Sequence, residues 1–193
     1  MDCKKAGELI QSLRKEKGMT QKQLAHLLHL SDKTVSKWET GKGSPDISLL
    51  ENLSEILGVN IGPILNGELN PNNMDGGNMK RIKFYVCPVC GNVLTATGQA
   101  EISCCGRKLE ALEAKEADET HRPEVQIIEQ DYYVTFDHPM TKEHYLTFAA
   151  WVSYDRVLLM RLYREQAAEV RFPGSRRGQL YFYCSRHGFM TAK

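Results

Sequence analysis

Clustered cysteines are the first residues in this chain whose type and spacing suggest chemistry. Four of the six cysteines lie between positions 87 and 105, as a Cys87-x-x-Cys90 turn followed by the adjacent pair Cys104 and Cys105. A C-x-x-C turn presents two thiolates to one ion, and a second pair closes a tetrahedral four-sulfur site that suits iron or zinc. A structural zinc knuckle without a redox role and a disulfide pair are the alternatives.

Histidines form the second group. Four of the six histidines lie in the C-terminal half together with Cys184. His138 and His144 bracket a proline-containing loop, Cys184-x-x-His187 is a chelating turn, and His121 lies upstream of them. A single histidine is ordinarily structural. Four imidazoles and one thiolate, however, can form a square-pyramidal metal site with an axial sulfur and one open position.

Short amphipathic helices are predicted over residues 1–66. The Thr20 and Gln23 pair has the pattern of a capping box, and Ser31 is a suitable cap for the next helix. Apolar residues at helical spacing mark the fourth helix, which we expect to begin near Pro45 with the stripe Ile47, Leu50, Leu53 and Leu57. Five short helices in this length indicate a compact all-α domain.

The rest of the chain changes character. Residues 67–79 are rich in Gly and Asn, a composition typical of a flexible linker. Beyond it, runs of β-forming residues predict strands at 82–86, 93–97, 124–128, 132–136, 145–154, 156–163 and 179–183. We expect an antiparallel β sandwich or barrel. In this interpretation residues 109–119 are an irregular acidic connector, and Leu158, Met160 and Leu162 share one strand face.

The segment from Leu13 to Lys42 resembles the lambda-repressor-like, Cro-type helix-turn-helix family, with Ala25, Val35 and Trp38 at its inward positions. The resemblance implies a homodimer that places the helix over about 32–39 in the major groove of a double-stranded DNA operator. By matched position, the residues that can reach base edges are Asp32, Lys33, Thr34 and Lys37. Those placed to contact phosphates are Gln21, Thr40 and Lys42.

Charge and two local departures bear on this DNA-binding hypothesis. The chain carries a net charge of +1, and residues 1–70 hold nine basic and nine acidic side chains. Phosphate neutralisation supplies much DNA affinity, so a neutral domain should bind weakly as a monomer. His29 stands where the family often has Gly, and Asp32 adds a negative charge near the groove. A helical protein–protein module without DNA contact is the alternative.

The two cysteine and histidine clusters carry a second resemblance. The four-cysteine pattern resembles the desulforedoxin-like, rubredoxin-type iron module of desulfoferrodoxins, which favours iron with zinc as the alternative. The histidine-rich part resembles the superoxide reductase domain of desulfoferrodoxins and neelaredoxins. That resemblance implies an immunoglobulin-like β sandwich with a non-haem ferrous iron in a His₄Cys site. The implied equatorial ligands are His121, His138, His144 and His187, and the implied axial ligand is Cys184.

This second resemblance also implies an activity and catalytic residues. The family reduces superoxide to hydrogen peroxide with one electron and two protons, and a rubredoxin-like protein can be the electron donor. The catalytic residues would be Glu119, His121 and Cys184. The family usually has Glu-Lys-His before the first ligand, whereas this chain has Glu119-Thr120-His121. Loss of that cation weakens the attraction for superoxide unless Lys142, Arg122 or Arg186 substitutes.

The predicted organisation is therefore multidomain, all-α and then all-β. It comprises a DNA-binding domain (1–66), a linker (67–79), a four-cysteine module (80–109) and a β-sandwich domain (110–193). Three hypotheses follow: a superoxide reductase with a DNA-binding head, a regulator whose iron sites sense superoxide or another oxidant, and a regulator with structural metal sites. The longest apolar run has five residues, and the N-terminus lacks a secretory segment. A cytoplasmic protein without a membrane partner is expected.

Overall fold

A computed structural model describes residues 2–69, 79–174 and 177–192 of the chain. It divides into two compact units, Met1–Pro71 and Asn72–Lys193. Most of the predicted linker, residues 70–78, lies outside the described residues. At its edges, Gly67 ends the last helix in a left-handed conformation (φ 73°), and Met79 begins a short 3₁₀ turn, Met79–Arg81. Among the described residues, no helix combines the length and apolar character needed to cross a membrane.

Five α-helices build the first unit, as the sequence predicts: α1 Cys3–Glu16, α2 Gln21–Leu27, α3 Asp32–Glu39, α4 Leu50–Leu57 and α5 Ile61–Asn66. The predicted caps are confirmed. The Thr20 hydroxyl accepts from the Gln23 N–H at 3.2 Å while the Gln23 side chain accepts from the Thr20 N–H at 2.8 Å. Ser31 Oγ likewise accepts from the Thr34 N–H. These caps satisfy N–H groups that a helix start leaves unpaired.

The start of the fourth helix was wrongly predicted. Asp46 accepts hydrogen bonds from the backbone and hydroxyl of Ser48 and so caps a 3₁₀ turn, Ile47–Leu49, and α4 begins only at Leu50. This turn points Ile47 into solvent, with 84% of its surface exposed. Leu50, Leu53 and Leu57 do enter the core with Ile10, Leu24, Val35 and Ile64.

A buried ion pair ties α1 to α3. The Glu39 carboxylate accepts two hydrogen bonds from Arg14, at 2.6 and 2.9 Å, one from Gln21 at 2.8 Å and one from Gln11 at 3.2 Å. Arg14 also donates to the Met19 carbonyl. Close approach of the two helices requires Gly7, because a Cβ there would lie 1.9 Å from the Trp38 carbonyl oxygen. The carboxylate is thus fully removed from solvent but fully hydrogen-bonded.

The second unit consists of strands: β1 Lys83–Val86, β2 Val93–Ala96, β3 Ile102–Cys104, β4 Arg107–Leu109, β5 Lys115–Glu116, β6 Pro123–Ile128, β7 Asp131–Phe136, β8 Leu146–Val152, β9 Val157–Arg161, β10 Glu169–Phe172, β11 Gln179–Cys184 and β12 Gly188–Ala192. A five-stranded sheet, β5-β12-β11-β8-β9, packs on a three-stranded sheet, β10-β7-β6. The core between them includes Phe136, Phe172 and Phe182. The predicted all-β sandwich is confirmed.

Several details differ from the prediction. The seven predicted strands are present, and β3, β4, β5, β10 and β12 were missed. The connector at 109–119 contains β5, which pairs in parallel with β12, so the sandwich is not wholly antiparallel. Strand β9 ends before Leu162, and Met160 is 36% exposed. Leu158 and Leu162 nevertheless both pack into the core between the sheets, while Val157 and Leu159 pack on the outer cluster, so the predicted alternation is confirmed for Leu158 and Leu162.

The β1–β2 hairpin covers the outer face of the five-stranded sheet. Phe84 stacks on Phe148 with ring centroids 5.9 Å apart and contacts Phe189 at 5.3 Å. Strands β11 and β8 are paired, with Tyr183 opposite Phe148 and Cys184 opposite Leu146. Thr147 of β8 therefore has no partner in β11 and forms a β-bulge. Bulges redirect a strand and its side chains. Here the bulge turns Leu146 into the inner core beside Cys184.

Removal of the buried carboxylate should destabilise the helical unit. We expect Glu39→Gln to lower its free energy of unfolding by about 3 kcal/mol at pH 7, because Arg14 is left as a buried, uncompensated charge. Burial raises the pKa of Glu39, but hydrogen bonds from Arg14, Gln21 and Gln11 outweigh it and hold the pKa below its usual range. The stabilisation is therefore complete above about pH 4.5 and is lost as the pH falls below this value.

Urea unfolding followed by Trp38 fluorescence, in a Trp151→Phe background, measures this effect. Glu55→Gln, which changes an exposed glutamate of α4, is the control and should alter stability by no more than about 0.5 kcal/mol. Equal effects of the two substitutions at pH 7 would contradict the structural role of the ion pair.

Candidate metal centres and recognition helix

Four of the five predicted histidine-cysteine ligands converge at one end of the sandwich. His121 precedes β6, His138 follows β7, His144 precedes β8 and Cys184 ends β11. One ligand atom from each lies within 4.8 Å of all the others. The ring centroids of His138 and His144 are 4.4 Å apart, and those of His121 and His138 are 5.5 Å apart. Side chains from four separate strand ends thus share one small volume.

The fifth predicted ligand, His187, lies at the edge of this group. It is in the turn between β11 and β12 and is exposed. Its Nδ1 is 3.4 Å from Cys184 Sγ, and its ring centroid is 4.6 Å from that of His121 and 4.9 Å from that of His144. His187 therefore presents Nδ1 toward the cluster without joining the tightest set of four.

Unsatisfied polar atoms show that this cluster fits a metal ion. Among the residues that the structure describes, His121 Nε2 and His144 Nε2 are buried and have no hydrogen-bond partner. On the outer side, His121 Nδ1 lies 2.7 Å from the carboxylate of Asp118. Because a carboxylate only accepts, Nδ1 carries the proton and Nε2 offers a lone pair. Buried lone pairs next to a thiol are what a bound transition metal requires.

Burial favours the neutral form of two of these imidazoles, His138 and His144. Burial, followed by the neighbouring imidazoles, lowers the pKa of His138 to about 4. Burial and the nearby His187 likewise lower the pKa of His144. Hydrogen bonds from His121 and Thr120 lower the pKa of Asp118 to about 2, so this carboxylate is ionised at neutral pH. The neutral His138 and His144 rings thus offer lone pairs to a metal ion.

Local backbone contacts fix the loops that carry the ligands. Ser185, directly after Cys184, donates its N–H to the Tyr145 carbonyl at 2.9 Å and accepts from the Tyr145 N–H at 3.1 Å. It also donates to the Glu143 carbonyl. Met140, buried between His138 and His144, adopts a left-handed conformation (φ 45°), and its carbonyl accepts from the Glu165 N–H. These contacts hold both sides of the chelating loop.

A surface groove of about 570 Å³ runs beside this loop. Its charged lining residues are Lys142, Glu143, Glu165 and Arg186. Arg186 Nη2 is 3.5 Å from the Glu143 carboxylate. Lys142 and Arg186, which were expected to replace the missing lysine, share the groove with two carboxylates. The formal charges of the side chains that line the groove therefore cancel.

Sequence reasoning chose Glu119 and missed Asp118. Glu119 is exposed and makes no hydrogen bond to any other residue that the structure describes, whereas Asp118 contacts both Thr120 and His121. An Asp followed two residues later by Thr is a signal for an Asx turn, which the segment does form: Asp118 Oδ1 accepts from the Thr120 N–H. The acidic composition of the segment obscured this signal.

The four predicted cysteine ligands also meet. One sulfur from each of Cys87, Cys90, Cys104 and Cys105 lies within 4.8 Å of the others. The sulfurs of Cys90 and Cys104 are 3.6 Å apart, and those of Cys104 and Cys105 are 3.9 Å apart. The adjacent pair is accommodated because Cys105 (φ 51°) is in the left-handed region. The four sulfurs converge where the connecting turns of two short hairpins, β1–β2 and β3–β4, meet.

The thiols of this cluster have divergent acidities. Backbone N–H groups of Cys90 and Val89 lower the pKa of Cys87 to about 6. Contacts with the sulfurs of Cys90, Cys87 and Cys104 raise the pKa of Cys105 to about 12. Four thiolates at this spacing repel one another, so their joint ionisation needs a cation. The arrangement therefore fits a tetrahedral iron or zinc ion.

In the helical unit, the residues matched to DNA contacts fall into two groups. Lys33 and Lys37 on α3, Asp32 at its start and Lys42 after its end are exposed. Three others make internal hydrogen bonds: Thr34 with Ser31 Oγ at 2.9 Å, Thr40 with the Ser36 carbonyl at 2.8 Å, and Gln21 with buried Glu39. His29, in the turn before α3, has φ 56° and so takes the conformation for which Gly is suited.

Comparison with known proteins tests both resemblances. Residues 10–64 match a helix-turn-helix family model. Over 82 residues the chain is 38% identical to the HTH-type transcriptional activator BcrR of Enterococcus faecalis, covering 41% of this chain and 40% of the activator. A desulfoferrodoxin homolog of Archaeoglobus fulgidus is 28% identical over 116 residues, covering 55% of this chain and 93% of the homolog.

A solved structure supports the fold of the second part. The superoxide reductase from Treponema pallidum matches 58% of this chain and 98% of its own chain, with a TM-score of 0.51 and 23% identity. The chain joins a helix-turn-helix domain to a desulfoferrodoxin-like region. The identification of both parts from the sequence is confirmed. The match to the activator spans less than half of that protein, so it supports the helix-turn-helix domain alone.

Proposed function

We propose that the desulfoferrodoxin-like region is an iron centre that reduces superoxide to hydrogen peroxide, in a protein whose helix-turn-helix domain binds DNA. The observation that carries this proposal is the convergence of three buried or half-buried imidazoles and the buried Cys184 thiol, with two imidazole Nε2 atoms left without described partners. Ferrous iron at this site would supply the one electron, while two protons come from solvent.

The chain's own residues would prepare the site for this reaction. The His121, His138 and His144 rings would supply nitrogen ligands, and Cys184 would supply a thiolate that donates electron density. His187, with Nδ1 3.4 Å from the thiol, would complete the ligand set. The four-cysteine site would hold a second iron, with zinc as the alternative. We assign the catalytic roles of Glu119, His121 and Cys184 by resemblance only.

A second candidate function is redox sensing, in which oxidation of the iron alters DNA binding without sustained turnover. Thr120 favours it, because the position where the related enzymes carry a lysine holds a neutral hydroxyl here. That hydroxyl is bonded to Asp118 at 2.8 Å. The groove beside the ligand loop is balanced in charge and adds no net attraction for an anion. Superoxide would then be a signal instead of a substrate.

Turnover separates the two functions. With superoxide generated continuously and reduced rubredoxin as the electron donor, a reductase consumes many superoxide molecules per chain, and Cys184→Ala abolishes this consumption. A sensor consumes about one per chain, and its DNA affinity changes on oxidation. A native protein that neither consumes superoxide nor changes its DNA affinity on exposure would contradict both functions.

The DNA-binding proposal places α3 in the major groove of a two-fold symmetric operator bound by a homodimer in the cytoplasm. Exposed Lys33 and Lys37 can reach base edges, and Lys42 can contact a phosphate. Thr40 would donate to a phosphate only by giving up its internal hydrogen bond, whereas the Gln21 amide donates one N–H to Glu39 and keeps a second for a phosphate. The neutral charge of the domain makes the second half-site necessary for useful affinity.

Two lysine substitutions test this arrangement on an operator selected from random DNA. Lys37→Ala should reduce discrimination between operator and random DNA by about 1–3 kcal/mol. Lys42→Ala should weaken binding to both about equally and lower the salt slope by about one. Binding by fluorescence anisotropy at several salt concentrations gives both quantities. Equal affinity of the native protein for any DNA would contradict sequence-specific recognition.

A further inference from the structure

The turn Asp118–His121 holds one imidazole of the metal cluster from its outer side. One oxygen of the Asp118 carboxylate lies 2.7 Å from His121 Nδ1, 2.8 Å from Thr120 Oγ1 and 3.1 Å from the Thr120 backbone nitrogen. Thr120 Oγ1 is also 2.9 Å from His121 Nδ1. Because the carboxylate, the hydroxyl and the ring nitrogen contact one another, each restrains the other two.

These contacts determine which ring nitrogen is free. Nδ1 faces the Asp118 carboxylate oxygen and the Thr120 hydroxyl, so it is engaged as the hydrogen-bonding nitrogen of the ring and Nε2 is left for a metal ion. His121 is 4% exposed, and its Nε2 faces the cluster without another described partner. A hydrogen bond between the backbone N–H of His121 and the Asp118 carbonyl, at 3.1 Å, closes the turn. The ring orientation is thus set before any ion binds.

His121 differs in this respect from the other imidazoles of the cluster. Within the described part of the chain, it is the one cluster histidine with a carboxylate in hydrogen-bond contact. Asp137 also lies next to a cluster histidine, His138, but it makes no hydrogen bond to an imidazole in the described ranges. A carboxylate bonded to a ligand imidazole increases the basicity of the ring and favours the more oxidised metal.

We propose that Asp118 and Thr120 are positioning residues that fix His121 as an Nε2 metal ligand. Thr120 would therefore orient a ligand at the position where the related reductases carry a substrate-attracting lysine. This inference rests on the proposed function, because it needs iron in the histidine-cysteine cluster. It assigns the effect of the two side chains to iron affinity and midpoint potential, not to the attraction of superoxide.

The test measures Fe(II) affinity by chelator competition and the midpoint potential of the histidine-cysteine iron in the full-length chain, without superoxide. Asp118→Asn and Thr120→Val should each lower Fe(II) affinity at this site, Asp118→Asn by about 10–100-fold. Asp118→Asn should also raise the midpoint potential, because it removes the negative charge behind the ligand. Thr120→Ser keeps the hydroxyl and should retain the native values, and so should the control Asp137→Asn.

Native affinity and potential in Asp118→Asn would overturn the inference while leaving the proposed function intact. A native protein that takes up no Fe(II) at the histidine-cysteine cluster would overturn the proposed function and this inference with it. If Asp118→Asn fails to fold, Thr120→Val and Thr120→Ser remain the comparison, and equal values for these two variants would overturn the role of the hydroxyl.

Discussion

A buried polar atom needs a hydrogen-bond or metal partner, and this requirement explains the arrangement of the histidine-cysteine cluster. His121 Nε2 and His144 Nε2 lie inside the sandwich end without a hydrogen-bond partner among the described residues. Leaving such an atom unpaired costs about 1–3 kcal/mol. The turn at Asp118 holds the His121 ring from its outer side, and Ser185 holds the chain next to His144 through its hydrogen bonds with Tyr145. This end of the sandwich is therefore organised around a ligand that accepts lone pairs.

In the helical domain, the buried polar group finds all of its partners within the protein. Its buried carboxylate, Glu39, receives four hydrogen bonds from Arg14, Gln11 and Gln21, so nothing further is needed to satisfy it. Buried polar groups that are fully satisfied fix one arrangement of helices, whereas those that are left unsatisfied mark a binding site. Gln21 belongs to the satisfied group, because one of its amide N–H groups donates to Glu39, and its second N–H is left for the phosphate contact that the resemblance implies.

Much of this architecture could be predicted because it depends on local sequence. The caps at Thr20 and Ser31, the Cys87-x-x-Cys90 turn and the alternating strands act through neighbours in the chain. Ile47 was misassigned because a 3₁₀ turn capped by Asp46 replaces the expected helix start. Strands β10 and β12 were missed because they are short and depend on pairing with β7 and β11. Asp118 was missed because its contact with His121 lies within a segment read as an irregular connector.

The central claim is that the histidine-cysteine cluster holds a redox-active iron distinct from the ion in the four-cysteine site. Mössbauer spectroscopy of ⁵⁷Fe protein, purified without oxygen and measured before and after one equivalent of superoxide, tests it directly. The account predicts a high-spin ferrous signal at the histidine-cysteine cluster that becomes ferric, and that is absent from Cys184→Ala while any four-cysteine iron signal remains. Zinc at the histidine-cysteine cluster, or a ferrous signal that superoxide leaves unchanged, would contradict it.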